Sequence, residues 1–190
     1  MDLPGGDERS IKFITNVGLI TSDGPYGPNI ISAEWTHHVS YKPGIIAVCI
    51  GFGKATLENI RRTKKFGVNI AATDQSAMAS VAGDNSGKKI DKISALKELG
   101  FEFYAGKNGL PMVKAAAMNA ECKLMKEITL GDHVMLVGEV VEAHAPDREP
   151  LAYHKGKYWA MSENIKKPLP EEREKIDRIV QNHRRNANGR

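Results

Sequence analysis

Strand-length apolar runs and alternating stretches cover most of this chain, and helical spacing is confined to its middle and its end. Residues 11–21 are rich in β-branched side chains and partly alternate, which predicts a first strand. Asp23-Gly24-Pro25-Tyr26-Gly27-Pro28 is dense in turn formers, so a second strand, predicted over 29–40, pairs back as an antiparallel hairpin. A turn at Lys42-Pro43-Gly44 leads into the apolar run 45–50. Gly51-Phe52-Gly53-Lys54 then hands over to a helix predicted from Ala55 or Thr56 to about Lys64. A strand over 66–71 follows, then a helix reaching Ala82 with Thr73 supplying its N-cap oxygen. A third helix is predicted over 91–99 from the spacing of Ile90, Ile93, Leu96 and Leu99.

The second half returns to extended structure. A short piece at 101–104 and a break at 109–113 precede two long alternating strands, 117–128 and 133–145, joined by Thr129-Leu130-Gly131-Asp132. Gly138 inside the second marks a bulge or a close backbone approach. Residues 151–160 read as a small closing hairpin, 168–185 as a charged helix, and 186–190 as a frayed tail. Six or more strands joined mainly by turns, with helices inserted mid-chain, predict a mainly β fold, an antiparallel barrel rather than a βαβ sheet. The barrel domain is expected over 1–165, with the C-terminal helix and tail, 166–190, part of the same domain.

Composition narrows the function. A chain of 190 residues buries roughly 70% of its unfolded surface, so it needs neither disulfides nor a metal to fold. No run approaches the about 20 apolar residues of a membrane span. The acidic start, Met1 to Glu8, lacks the apolar core of a secretory signal, so a cytoplasmic location and no membrane partner are expected. The net charge of +4 would suit nucleic acid, but the basic residues are dispersed and only Arg184-Arg185 form a dense pair. With no zinc finger or RNA-binding motif, no nucleic-acid partner is expected; mild basicity suits a phosphorylated ligand. Cys49 and Cys122 stand apart outside any Cys-x-x-Cys and read as two buried thiols. His37 and His38 point to opposite faces of a strand and cannot share a metal, and none is expected.

The candidate chemistry centres on residues 29–59. A glycine-bearing bend between a strand end and a helix start leaves backbone N–H groups free and lets an anion come close. Lys54 and Thr56 add a cation and a hydroxyl at the same mouth, a place for one phosphate. The preceding strand offers Ser32, Thr36 and His37 beside Trp35. Trp35 either packs on a ligand ring or fills the barrel. Asn69, interrupting an apolar run, is either an outward polar residue or one facing the ligand.

These segments together resemble the flavin reductase-like family, the FMN-binding split-barrel proteins that include flavoredoxin. The resemblance runs from about residue 9 to 160. It is carried by 29–36 with its Ser32-Ala33-Glu34-Trp35-Thr36 end, the Tyr41–Gly44 turn, 50–56 with Asn59, Asn69-Ile70, Ser86-Gly87-Lys88 leading to Asp91-Lys92, Gly131-Asp132-His133, 137–140 and 153–158. It implies an antiparallel split β-barrel that binds FMN. Ser32, Ala33, Glu34, Trp35 and Thr36 would line the isoalloxazine, largely through backbone groups. Gly51, Phe52, Gly53, Lys54 and Thr56, helped by Asn59, would hold the phosphate, with Ser86, Gly87 and Lys88 as a second set of donors; Asn29 and Ile50 are further cofactor-binding candidates.

His133 would sit at the redox-active edge of the flavin as the catalytic residue; the plainer reading is a histidine that only bonds its own turn. The resemblance implies a homodimer and an oxidoreductase passing electrons from NADH or NADPH through FMN to an unidentified acceptor. The alternative is a non-enzymatic FMN electron carrier reduced by another protein. Gly51-Phe52-Gly53 lacks the third glycine and βαβ context of a dinucleotide motif, so nicotinamide use rests on the resemblance. The terminal charged helix is expected to pack on a partner subunit or over the flavin.

Overall fold

The computed structural model describes residues 1–163 and 167–182. A 3-10 turn, Ser10–Lys12, precedes strands β1 (Thr15–Asn16), β2 (Gly18–Ser22), β3 (Asn29–Ala33), β4 (Thr36–Tyr41) and β5 (Gly44–Gly51). Helix α1 (Ala55–Thr63), strand β6 (Lys65–Ile70) and helices α2 (Ser76–Asp84) and α3 (Lys92–Glu98) form the middle. Short strands β7 (Phe103–Ala105) and β8 (Pro111–Val113) pair with each other, ahead of the long hairpin β9 (Met118–Leu130) and β10 (His133–His144). Strands β11 (Ala152–His154) and β12 (Lys157–Trp159) and helix α4 (Pro170–Asn182) complete the described chain.

Seven strands form one antiparallel sheet in the order β3-β2-β6-β9-β10-β5-β4. β3 and β4 are consecutive in the chain yet lie at opposite edges, with only Glu34 and Trp35 between them. Three Cα steps span at most about 11 Å. The sheet must therefore roll until its edges nearly meet, leaving a barrel open along one seam. The Thr36 hydroxyl donates to Ala33 O (3.0 Å) across that gap. The Cys49 backbone amide donates to Trp35 O (2.9 Å) and Asn16 Nδ2 to Thr36 O (2.6 Å). The fold is the expected mainly β, antiparallel split barrel. The single strand predicted over 29–40 is two strands, because β3 pairs with β2 and β4 with β5 and the chain must change edges between them.

The first predicted strand is also divided. β1 pairs with β11 in a small three-stranded sheet, whereas β2 pairs with β3 and β6, so the chain changes sheets at Val17. Every residue of β2 is buried, because its two faces enter different cores. Ile20 joins Val48, Ile60, Phe66, Val68 and Leu136 inside the barrel. Leu19 joins Ile30, Met78, Ala79 and Leu96 under α2 and α3. Two-sided burial is why that stretch alternates only partly. Each such Leu, Ile or Val contributes about 1.5–3 kcal/mol relative to exposure.

Asn69 is fully buried, so it does not face outward, and its side chain is taken up by bonds within the protein. It donates to Leu19 O (2.8 Å) and accepts from the Val113 amide (2.9 Å) and Asn119 Nδ2 (2.6 Å), tying β2, β6, β8 and β9 together. Gly138 sits at a register shift of the β9–β10 ladder, where an added Cβ would lie 2.5 Å from Phe66 Cζ and 2.9 Å from Cys122 Cβ. Thr73 is not the N-cap of α2, which starts at Ser76 behind Gln75 and runs on to Asp84. Gln75 instead accepts from the Ala72 amide (3.0 Å). In α3 the buried face is Lys92, Ile93 and Leu96, while Ile90 and Leu99 are exposed. In α4, Ile176, Ile179 and Val180 are exposed; the predicted end at Arg185 and the tail 186–190 lie outside the described residues. No described helix is long and apolar enough to cross a membrane.

Candidate functional site

The seam and the bend after β5 open onto one cavity of about 170 Å³. Ile31, Ser32, Ala33, Glu34 and Trp35 line it from the seam, Cys49, Ile50, Gly51 and Lys54 from β5 and the bend, Gly83 from α2 and His133 from β10. Ser32, Ala33, Glu34, Trp35, Ile50, Gly51, Lys54 and His133, singled out from the sequence, are thereby brought together. The reason is topological: β10 pairs with β5, so His133 stands opposite Gly51, while the seam places Trp35 beside them. The Trp35 and His133 rings are 4.7 Å apart and tilted by 57°. His133 Nδ1 is 2.7 Å from the Asp132 carboxylate, and this hydrogen bond holds Asp132 below the usual carboxylate range. That pairing orients the ring and leaves Nε2 near Gly51, where a Cβ would lie 3.7 Å from it. Trp35 is 42% exposed, so it does not fill the barrel.

The other end of the cavity carries the charge. Lys54 precedes the first turn of α1, whose leading N–H groups carry the positive end of the helix dipole. Gly53 adopts φ +74°, a left-handed conformation that suits glycine at the bend. Lys92 stands behind it, 1% exposed, with its ammonium donating to Ala82 O (2.9 Å). No carboxylate pairs with it among the described residues. Burial first, and then the neighbouring Lys54 charge, push the Lys92 ammonium down to about 8. Lys54 lines the cavity and Lys92 lies buried outside its lining, near enough for their charges to repel, which makes this end a candidate anion cradle. The sequence reading gave Lys92 no role. Its signal was a lysine four residues before Leu96, on the face that packs inward.

The remaining predicted residues divide by position. Asn29 and Thr56 are buried behind the cradle, where Asn29 Nδ2 donates to Thr56 Oγ1 (2.8 Å). Gly87 packs against the Asn29 amide, where a Cβ would lie 2.7 Å from its Cγ. Thr36 is buried and bonded to Ala33, holding the seam rather than lining the cavity. Asn59 is fully buried and committed elsewhere. It accepts from the Tyr26 amide (3.0 Å) and donates to Ser22 Oγ (3.2 Å) and Gly27 O (2.9 Å), anchoring the 23–28 turn. Phe52 is half exposed at the rim. Ser86 Oγ accepts weakly from the Lys88 amide (3.4 Å), and the Lys88 ammonium is taken by Glu58 instead of standing free. Of the two cysteines, Cys122 is buried as expected, and burial pushes its thiol up to about 12. Cys49 instead lies partly open on the cavity wall.

A second cavity, about 240 Å³, adjoins the first through Ser32, Glu34 and Gly83 and is closed by Tyr153 and Tyr158 of the β11–β12 hairpin. Burial, followed by the Glu34 carboxylate, pushes the Tyr153 phenol up. Among the described residues no group of His, Cys, Asp and Glu is placed to hold a metal.

A model of the flavin reductase like domain matches residues 10–162. An uncharacterized protein of Archaeoglobus fulgidus is 31% identical over 114 residues, which span 60% of this chain and 63% of that one. An NADH-dependent FMN reductase, AsuE2, of Streptomyces nodosus subsp. asukaensis is 26% identical over 151 residues, 78% of this chain and 80% of that protein. Among solved structures, the flavin reductase PheA2 in its native state aligns with a TM-score of 0.72 at 28% identity, covering 86% of this chain and 100% of that one.

Proposed function

The chain belongs to the flavin reductase like domain family, and from that premise we propose that it binds FMN at the barrel seam and acts as an NAD(P)H-dependent flavin reductase-type oxidoreductase. The observation that carries the reading is the cavity at the start of α1 with Lys54 on its wall, backed by a buried Lys92 that has no carboxylate partner among the described residues, a cradle for the doubly charged phosphate of a mononucleotide. Bound there, the phosphate would take charge-assisted hydrogen bonds from both ammoniums and from the free N–H groups at the start of α1.

The donor set suits the rest of the cofactor. The carbonyls of Ala33, Glu34 and Trp35 accept from the Thr36 hydroxyl, the Thr36 amide and the Cys49 amide, which leaves the Glu34 and Trp35 N–H groups without a protein acceptor among the described residues. These would meet the polar edge of a flavin ring through the main chain. The flavin supplies hydride acceptance and the release of one or two electrons; the protein binds and orients it. Trp35 and His133 would border one ring face and shape where a nicotinamide arrives. His133, oriented by Asp132, is the residue to hold or pass a proton at that face, through Nε2.

The expected homodimer is part of this proposal. β4 presents an unpaired edge with Val39 and Tyr41 exposed, the kind of strand that a second copy covers. A cytoplasmic location is likewise proposed. The test is purification, an absorbance spectrum with flavin identification, and anaerobic addition of NADH or NADPH. Bleaching of the flavin band by either nucleotide is the expected result. A protein that refuses added FMN, or whose flavin bleaches only with dithionite, refutes the reductase reading.

A further inference from the structure

Glu58 follows Lys54 by one turn on the same face of α1, its amide donating to Lys54 O (3.3 Å). Its carboxylate pairs with the Lys88 ammonium from the loop after α2. That ammonium also lies 5.0 Å from the centre of the Tyr26 ring, in the turn after β2. The pairing holds Glu58 below the usual carboxylate range and Lys88 above the usual ammonium range, with Tyr26 a further partner of each. An exposed ion pair alone is weak. Here one ammonium serves an ion pair and a cation–π contact at once, and the cluster joins three separate segments.

Behind the cluster the space is filled. A Cβ on Gly87 would collide with the Asn29 amide, and one on Gly24 would lie 3.0 Å from the Asn59 Cα. The Asn59 side chain fixes the Tyr26 backbone from below (3.0 Å). Glu58 lies one helical turn, about 5.4 Å, along α1 from Lys54, so a ligand extending that way from the cradle would meet this cluster.

We propose that the Lys88–Glu58–Tyr26 clasp closes the far side of the phosphate cradle and restricts the flavin to one ending in a phosphate monoester. FMN stops at that phosphate. FAD continues through a second phosphate into adenosine, and an extension taking the α1 side would meet the clasp. The inference rests on the flavin-binding reading and adds to it which residues select the ligand.

The experiment titrates the full chain with FMN, FAD and riboflavin, following flavin fluorescence. Riboflavin has no phosphate and gauges the ring site and the folding of each variant. The wild-type protein is expected to prefer FMN over FAD by about tenfold or more, a clear difference in Kd. A Glu58→Ala, Lys88→Ala double variant removes one charge of each sign, leaving net charge unchanged. It should cut that preference about fivefold or more, chiefly by tightening FAD, with riboflavin affinity held. Tyr26→Ala, which opens the clasp from its third side, should move the ratio the same way and carries the test if the double variant loses riboflavin binding. Equal wild-type affinity for FMN and FAD, or an FMN:FAD ratio unchanged in the variants that bind riboflavin, overturns the clasp while leaving flavin binding intact. A wild-type chain that binds none of the three overturns the functional reading, and the clasp's role with it.

Discussion

Replacing Lys92 by methionine should strengthen the flavin-free protein and weaken its hold on FMN. The stem length is kept and the charge is removed. Burial and the Lys54 charge bring the folded-state pKa to about 8 against the usual 10.5 of a lysine. At about 1.36 kcal/mol per unit, the charged folded state carries a penalty on the order of 3 kcal/mol. Below about pH 8 the lysine is protonated in both states and the penalty is present in full. Between about 8 and 10.5 the unfolded chain binds more protons than the folded one, so wild-type stability rises with pH across that window. The variant should lack this rise.

At pH 7 Lys92→Met also forfeits the hydrogen bond to Ala82 O, worth about 1 kcal/mol. The net gain is about 2 kcal/mol, or roughly 4–8 °C in Tm for a chain of this length. FMN retention should move the other way. Losing one charge-assisted contact of about 1.5–3 kcal/mol weakens Kd by roughly 10- to 150-fold. Thermal melts of the flavin-free protein between pH 7 and 10, with FMN titrations at pH 7, measure both. A variant that melts below the wild type at pH 7, or keeps its FMN affinity, refutes the cradle.

Two further outcomes follow from the same geometry. His133→Ala should slow anaerobic bleaching by NADH about 10²-fold or more while FMN affinity stays within a few-fold; stopped-flow reduction beside equilibrium titration reads both, and parallel loss would make His133 structural. Gly138→Ala drives a methyl group into the Phe66 ring and should destabilise the barrel by about 1–3 kcal/mol in chemical denaturation, and an unchanged midpoint would contradict the close approach.

Much of the architecture could be read from local pattern. The β9–β10 hairpin, its tight turn and the approach at Gly138 came from alternation and one glycine, all short-range signals. The bend at 51–56 was legible because strand end, glycines, lysine and helix start are contiguous. What escaped depends on long-range placement. The 29–40 stretch reads as continuous, yet it crosses between the edges of a rolled sheet, and only the partner strands reveal the break. Asn69 and Asn59 are ordinary polar letters in sequence, but each completes a set of buried backbone groups from elements up to 50 residues away. Lys92 was hidden for a similar reason. Its importance lies in having no acidic partner among the described residues, and a missing partner leaves no trace in a linear string. Lys88 erred the other way, because its nearest anion, Glu58, lies 30 residues off.

Joining β3 to β4 through two residues has a kinetic corollary. Their link keeps Ala33 and Thr36 within about 11 Å at every stage, so the six intervening ladders must all form around that tether. The crevice is complete only when every ladder is in place, and its local sequence separation conceals that global prerequisite. A chain arrested partway would own every residue named above and still lack the crevice they form. Yellow colour in a freshly refolded sample would thus serve as a certificate of completion, appearing with the final strand rather than with collapse.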